Sequence, residues 1–116
     1  MSLVKKAKDL IQGKADLTEK RSSKWPEVRK EHLKKQPKCA ACGGDSKLEV
    51  HHVIPFNFDS ELELNPDNLL TLCESKKYGV NCHLFFGHLG DYKNYNSNSV
   101  NDTKEFYPKV SGVWNA

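Results

Sequence analysis

The chain has 116 residues, of which 37% are hydrophobic and 28% are charged. This length and composition are typical of one soluble domain with a small core, which a bound metal would help to stabilise. No apolar run approaches the length of a membrane span, and no apolar segment at the N-terminus marks a secretory signal. We therefore expect a protein that is neither embedded in a membrane nor secreted, and whose four cysteines stay reduced.

Positive charge is concentrated at the N-terminus. Residues 1–38 contain 12 Lys or Arg and 5 acidic residues, whereas residues 39–116 contain 6 and 10. A basic arm joined to a more acidic domain indicates a polyanionic partner. The surface of a solvated helix explains the charge of the arm equally well.

The basic arm predicts one or two helices. Lysines alternate with apolar residues over residues 2–12, which favours a frayed helix. Trp25 and Pro26 favour the start of a second helix, because proline is common in a first helical turn. Pro37 ends this helix, since the residue before a proline avoids the helical region.

The middle of the chain predicts two short strands and a short helix. Residues 48–51 alternate in polarity and residues 69–73 are mainly apolar, as in strands with one or both faces buried. Residues 56–68 predict a loop that closes with an Asn-Pro-Asp-Asn turn, and residues 82–89 predict a helix. The tail is rich in Asn, Ser and Tyr and predicts no regular structure. The expected organisation is a basic extension (1–22) and a domain (23–116) made of a basic helix (23–38), a core (39–90) and a wrapping tail (91–116).

The four cysteines form two pairs suited to a metal. Two residues separate Cys39 from Cys42, which lets both sulfurs face one point, and Cys73 and Cys82 add two thiolates across a wider gap. The two glycines after Cys42 let backbone N–H groups turn towards the thiolates. Four thiolates complete a tetrahedral zinc site, so its predicted role is structural. A site in which His83 replaces one thiol, and four thiols without a metal, are the alternatives.

Two adjacent histidines, His51 and His52, follow the first cysteine pair. Successive side chains of a strand point to opposite faces, so one imidazole can bind a cation while the other addresses a different side of a substrate atom. Phosphodiester hydrolysis needs this geometry, because the attacking water and the departing 3′ oxygen lie on opposite sides of phosphorus. Asn68 is a candidate to fix a ring orientation, and His83 is a candidate second ligand. Taken alone, Asn68 is more often a turn residue and His83 a helix cap.

The order of these residues resembles the HNH endonucleases. The likeness covers residues 39 to about 90, and the basic helix before them is similar to one in small phage-type members. It implies an α+β fold of the zinc-stabilised ββα-metal type (the HNH or His-Me finger), preceded by one or two basic helices. The segments that carry it are Cys39-Ala-Ala-Cys42-Gly43, Leu48-Glu49-Val50-His51-His52-Val53-Ile54-Pro55, Asn68-Leu69-Leu70-Thr71-Leu72-Cys73 and Cys82-His83.

The resemblance also implies residue roles. His52 matches the general base and Asn68 the residue that orients it, while His51 and His83 match ligands of a catalytic divalent cation (Mg²⁺, Mn²⁺ or Ni²⁺). The four cysteines match a structural Zn²⁺ site. His51 stands where many members have Asp, and nitrogen ligands favour Mn, Co, Ni or Zn, although Mg²⁺ stays a candidate. The implied activity is hydrolysis of DNA phosphodiester bonds in the cytoplasm of a bacterial or phage-infected cell.

His88 is a weaker candidate for the same cation. It lies five residues after His83, which is about 140° around an ideal helix of ~3.6 residues per turn. Helical residues that share a metal are normally three or four apart. We therefore expect His88 at the helix end, with a role as third ligand as the alternative.

We expect DNA to be held mainly through its backbone. Basic residues of the second helix are candidates for phosphate contacts, which give salt-dependent affinity without sequence recognition. Double-strand cleavage would need a homodimer or a packaging or restriction partner. The alternatives to a nuclease are a catalytically silent zinc-ribbon nucleic-acid-binding module and a zinc-stabilised protein-interaction domain. The candidate phosphate-binding residues are Arg29, Lys30, Lys34 and Lys35.

Overall fold

The computed structural model of the protein describes residues 21–76 and 79–114. The helix expected over residues 2–12 lies outside this part of the chain. Within it, no helix is long and apolar enough to cross a membrane. The elements in chain order are helix α1 (Trp25–Lys35), strands β1 (Leu48–His52) and β2 (Leu69–Cys73), a π-helical turn (His83–Gly87) and helix α2 (Ser99–Trp114).

The two strands form an antiparallel hairpin whose boundaries agree with the prediction, with β1 one residue longer. Leu48 pairs with Cys73 and His51 with Leu70. All of β2 is buried, whereas the last two residues of β1 differ: His51 is buried and His52 is partly exposed. Because adjacent side chains of a strand face opposite ways, the two histidines lie on different faces of the sheet.

Helix α1 covers one edge of the hairpin. It carries Pro26 in its first turn, as predicted, and ends at Lys35. The next residue, Gln36, accepts a hydrogen bond from the backbone N–H of Thr71 at 2.7 Å and another from its hydroxyl at 2.8 Å. Ala40 donates its N–H to the carbonyl of Thr71 at 2.9 Å. These bonds occupy the edge of β2 and fix the basic helix to the core.

The prediction of an irregular tail is wrong, because Ser99–Trp114 form a helix. Its buried side carries Ser99 and Thr103, which are 0% and 1% exposed, and Val100 and Phe106 pack against the core. The small hydroxyl residues let the helix approach closely, while Pro108 lies inside it. A buried face of Ser and Thr gives little apolar periodicity, and an internal proline argues against a helix. For these two reasons the sequence pattern did not predict this helix.

Candidate metal centres and active site

The four cysteine sulfurs converge at the centre of the core, as predicted. Their Sγ atoms all lie within 4.8 Å of one another, and every thiol is buried and outside any disulfide. The sulfurs of Cys42 and Cys73 are 3.6 Å apart. Two sulfurs bound to one tetrahedral zinc at ~2.3 Å are separated by about 3.8 Å. The geometry therefore fits a four-thiolate metal site. His83 lies in a different cluster, so the alternative in which it replaces a thiol is not supported.

The turn after Cys42 folds as expected. Gly43 has a φ of +76°, and the N–H of Gly44 lies 3.4 Å from the sulfur of Cys42. Hydrogen bonding from Cys82 lowers the pKa of Cys39 to about 5, whereas burial raises the pKa of Cys42 to about 12. Neighbouring thiolates repel one another, so four of them cannot ionise together unless a cation compensates.

A second cluster consists of His51, His83 and His88. One ring nitrogen from each lies within 4.8 Å of the other two. The Nε2 atom of His83 is 3.2 Å from Nδ1 of His51 and 3.2 Å from Nε2 of His88. Two nitrogens bound to one tetrahedral ion at ~2.1 Å are about 3.4 Å apart. One cation therefore fits among these three imidazoles.

The hydrogen bonds around the cluster fix two of its tautomers. His83 donates from Nδ1 to a carboxylate oxygen of Glu74 at 3.2 Å, and His88 donates from Nδ1 to the carbonyl of Asn94 at 2.7 Å. In a neutral imidazole the other nitrogen is then an acceptor. The Nε2 atoms of His83 and His88 thus direct lone pairs at each other, an arrangement that repels unless a cation or proton lies between them.

His88 lies at the end of the helical turn, as expected, but it also comes beside His83, because this segment is not an ideal α-helix. Residues 83–87 have π-helical winding, in which residues five apart come onto the same side of the helix. Gly87 allows the close approach of this turn to β1. A Cβ atom on Gly87 would lie 2.9 Å from Cε1 of His51, so any larger residue would displace that ring.

His51 is the most buried member of the cluster, at 3% exposure. Burial, followed by the charges of His83 and His88, lowers the pKa of His51 to about 3. The imidazole is therefore neutral at physiological pH and able to bind a cation. Among the described residues, its Nε2 atom has no hydrogen-bond partner.

Glu74 and Tyr92 surround the cluster and were missed in the sequence. Tyr92 donates its hydroxyl to Glu74 at 2.7 Å, on the same oxygen that accepts from His83. The Tyr92 ring also packs against His83 and His88, with centroids 5.7 and 5.0 Å away. This hydrogen bond lowers the pKa of Glu74, which keeps its carboxylate charged. The only signal in the sequence is that Glu74 directly follows β2.

His52 lies on the other face of the sheet and is not part of the cluster. One of its ring nitrogens, Nε2, is 2.9 Å from the backbone carbonyl of Glu63. Its ring packs on Trp25 of α1, with centroids 4.5 Å apart. Burial lowers the pKa of His52, so its imidazole is neutral at physiological pH. A carbonyl only accepts, so Nε2 carries the hydrogen and Nδ1 is the acceptor of this ring.

Among the described residues, the Asn68 side chain bonds to backbone groups and to no histidine ring. Its side-chain oxygen accepts from the N–H of Ile54 at 2.8 Å. Its amide donates to the carbonyls of Ile54 at 3.0 Å and Leu62 at 3.2 Å. Asn68 therefore ties together the ends of the loop between the strands, and that loop carries the Glu63 carbonyl to His52.

The basic residues predicted to contact phosphates lie on α1. Arg29 forms an ion pair with Glu49 at 3.8 Å, and Lys34 forms one with Glu31 at 3.5 Å. Lys30 and Lys35 are exposed. Exposed ion pairs of this kind exchange readily with other partners, so these contacts leave the lysines accessible to a polyanion.

Comparison with protein-family models matches residues 39–84 to the family described as HNH endonuclease. Comparisons with curated proteins and with solved structures found no match. The matched segment contains both strands, all four cysteines and the histidines at positions 51, 52 and 83. This match, the two-stranded sheet and the converging cysteines confirm the predicted family and fold. Residues 39–84 are thus similar to the HNH endonuclease family, and their two-stranded sheet and converging cysteines agree with its ββα-metal fold.

Proposed function

We propose that this domain hydrolyses DNA phosphodiester bonds, with a divalent cation bound by His51, His83 and His88 and with His52 as general base. One observation carries the proposal: the Nε2 atoms of His83 and His88 face each other at 3.2 Å, with both rings fixed by hydrogen bonds at Nδ1. Such an arrangement of acceptors favours an ion between them.

The two metal sites suit different roles. The four cysteines would hold a structural Zn²⁺, since a complete set of thiolates leaves no position for substrate. Three imidazoles leave positions open, and nitrogen donors favour Mn²⁺, Ni²⁺ or Zn²⁺ over Mg²⁺. A cation bound there would neutralise charge on the phosphate and on the departing 3′ oxygen.

His52 is suited to accept a proton from the attacking water. Its ring is neutral, and its contact with the Glu63 carbonyl directs the remaining lone pair to Nδ1. As Nδ1 takes the proton, the water oxygen bonds to phosphorus and the bond from phosphorus to the 3′ oxygen breaks. The 3′ oxygen then takes a proton from solvent. His52 lies on the face of β1 opposite to His51, and in this proposal it acts on the side of the phosphate away from the cation.

Asn68 is a positioning residue in this proposal. It bonds the backbone of Ile54 and Leu62, and so holds the loop whose Glu63 carbonyl orients His52. We further propose that the domain spans residues 23–116, because α1 and α2 both pack on the hairpin core. The phosphate contacts proposed for α1 would bind DNA without reading its sequence.

A plasmid-nicking assay tests this function. Wild-type protein and a His52→Ala variant are incubated with supercoiled plasmid and Mn²⁺, Ni²⁺ or Mg²⁺. We expect His52→Ala to lose at least about 100-fold in rate, the usual contribution of a general base, while its zinc content and DNA retention stay unchanged. His32→Ala is the matched control, because His32 lies on α1 and bonds only to Gln36 among the described residues.

Two results would contradict the proposal. Nicking by His52→Ala at the wild-type rate would exclude His52 as the base. DNA retention without nicking by the wild type, whichever cation is supplied, would instead identify a silent nucleic-acid-binding module.

A further inference from the structure

Arg21 contacts Glu63, the residue whose carbonyl bonds to the proposed general base, although it precedes the matched family segment by many residues. Its Nη1 atom is 3.5 Å from Oε2 of Glu63, and its guanidinium lies 4.4 Å above the ring of Phe56. These two contacts hold the guanidinium at one edge and one face. More than half of the side chain, 54%, is exposed to solvent.

Glu63 links Arg21 to His52. The side chain of Glu63 is 3% exposed, and its Oε1 accepts the backbone N–H of Ser22 at 2.9 Å. Its backbone carbonyl bonds to the His52 ring at 2.9 Å. One residue therefore fixes both the start of the basic helix and the general base.

The contact with Glu63 does not use all the hydrogen-bonding capacity of Arg21. Oε2 of Glu63 is buried without a hydrogen bond to the described residues, and the 3.5 Å ion pair is longer than a direct charge-assisted bond. A guanidinium has five N–H donors in a planar fork that matches two phosphate oxygens. The exposed part of this fork faces solvent, where a ligand can reach it.

We infer that Arg21 binds the phosphate that is attacked by the water activated by His52. Its guanidinium donates hydrogen bonds to the non-bridging oxygens of that phosphate. Glu63 and Phe56 hold the guanidinium in place before DNA arrives, so little reorganisation is needed as charge builds on those oxygens. The inference rests on the proposed function, and it assigns a substrate-binding residue outside residues 39–84. It also explains why the segment that leads into helix α1 is fixed to Glu63, whose carbonyl orients His52.

The test compares Arg21→Ala and Arg21→Lys with the wild type, and Lys104→Ala, an exposed cation of α2, is the charge-matched control. Nicking of plasmid with Mn²⁺ gives kcat and KM, and DNA affinity without divalent cation is measured against salt concentration. For Arg21→Ala we expect kcat to fall about 100-fold. The slope of log Kd against log salt concentration should decrease by about 1, as for loss of one phosphate contact.

Arg21→Lys separates binding from a purely structural role. It should restore the salt slope, because it keeps the charge, but only part of kcat, because it lacks the fork. Wild-type kcat and salt slope in Arg21→Ala would overturn the inference. So would an unchanged salt slope in both variants with a lowered Tm, since Arg21 would then serve only to neutralise Glu63. The salt slope needs no cleavage, so an inactive wild type would contradict the proposed function and still leave Arg21 testable.

Discussion

The Nε2 atoms of His83 and His88 lie 3.2 Å apart, although five positions separate the residues along the chain. The π-helical turn between them produces this contact, and each ring is oriented by an acceptor at Nδ1. π-Helical turns are rare and are often found at functional sites.

Removal of His88 should weaken divalent-cation binding. In His88→Ala we expect the affinity for Ni²⁺ to fall by at least about 100-fold, more than the ~10–100-fold that loss of an outer partner costs. Calorimetric titration of Ni²⁺ into zinc-loaded protein measures this loss, and the zinc content should not change. Unaltered Ni²⁺ affinity would exclude His88 as a ligand and leave a site of two histidines.

Glu74 and Tyr92 should strengthen the same site from outside. Glu74→Gln removes the negative charge that holds His83, so we expect Ni²⁺ affinity to fall about 10-fold or more. Tyr92→Phe removes the hydroxyl that donates to Glu74 at 2.7 Å, and its effect should be smaller. Tyr107→Phe, at another exposed tyrosine, is the control. Equal affinities in all three variants would show that the carboxylate has no part in ion binding.

Acid should destabilise the domain partly through His51. The pKa of His51 is about 3 in the folded protein and has an ordinary value of 6.5, so the unfolded chain binds more protons between these pH values. The free energy of unfolding therefore rises as the pH increases through this window and decreases as the pH is lowered through it. Urea denaturation of zinc-loaded protein without other cations should show a loss of roughly 2 kcal/mol between pH ~6.5 and ~4.5 attributable to this ring. His51→Gln lacks the titrating group, and an equally steep pH dependence in that variant would refute this assignment.

Cys39 should be needed for folding. Replacing it with Ser removes one thiolate from a cluster in which all four cysteines are buried, and zinc-binding energy is folding energy in such domains. We expect Cys39→Ser to lose bound zinc and most of its far-ultraviolet circular dichroism at 25 °C. Chelator-treated wild type gives the matched metal-free spectrum. A native spectrum together with one zinc per chain in the variant would rule out a structural site at these cysteines.

Local sequence patterns predicted most of the fold that positions the site. Alternation and apolar runs predicted the two strands, and Pro26 predicted the first turn of α1. The spacing of Cys39 and Cys42 predicted that their sulfurs share one point, as observed. These features depend on residues close together in the chain, which is why the sequence alone reveals them.

Other parts of the site depend on contacts that no local pattern encodes. No local pattern marks the π winding after Cys82, and an ideal helix would place His88 on the wrong side. Glu74 reaches His83 only because the chain folds back between them, and Tyr92 comes from beyond the turn. The roles of His52 and Asn68 remain predictions, since the structure gives their contacts and not their chemistry.

At Gly87 a hydrogen atom occupies the position where any other residue would place a carbon 2.9 Å from the His51 ring. The residues from His83 to His88 therefore give a sequence pattern, a histidine, three other residues, a glycine and a second histidine, for two imidazoles that π winding brings together. Genome searches that demand an interval of three or four residues would overlook it. We expect other chains with a His-His pair followed by this pattern to bring three imidazoles together in the same way.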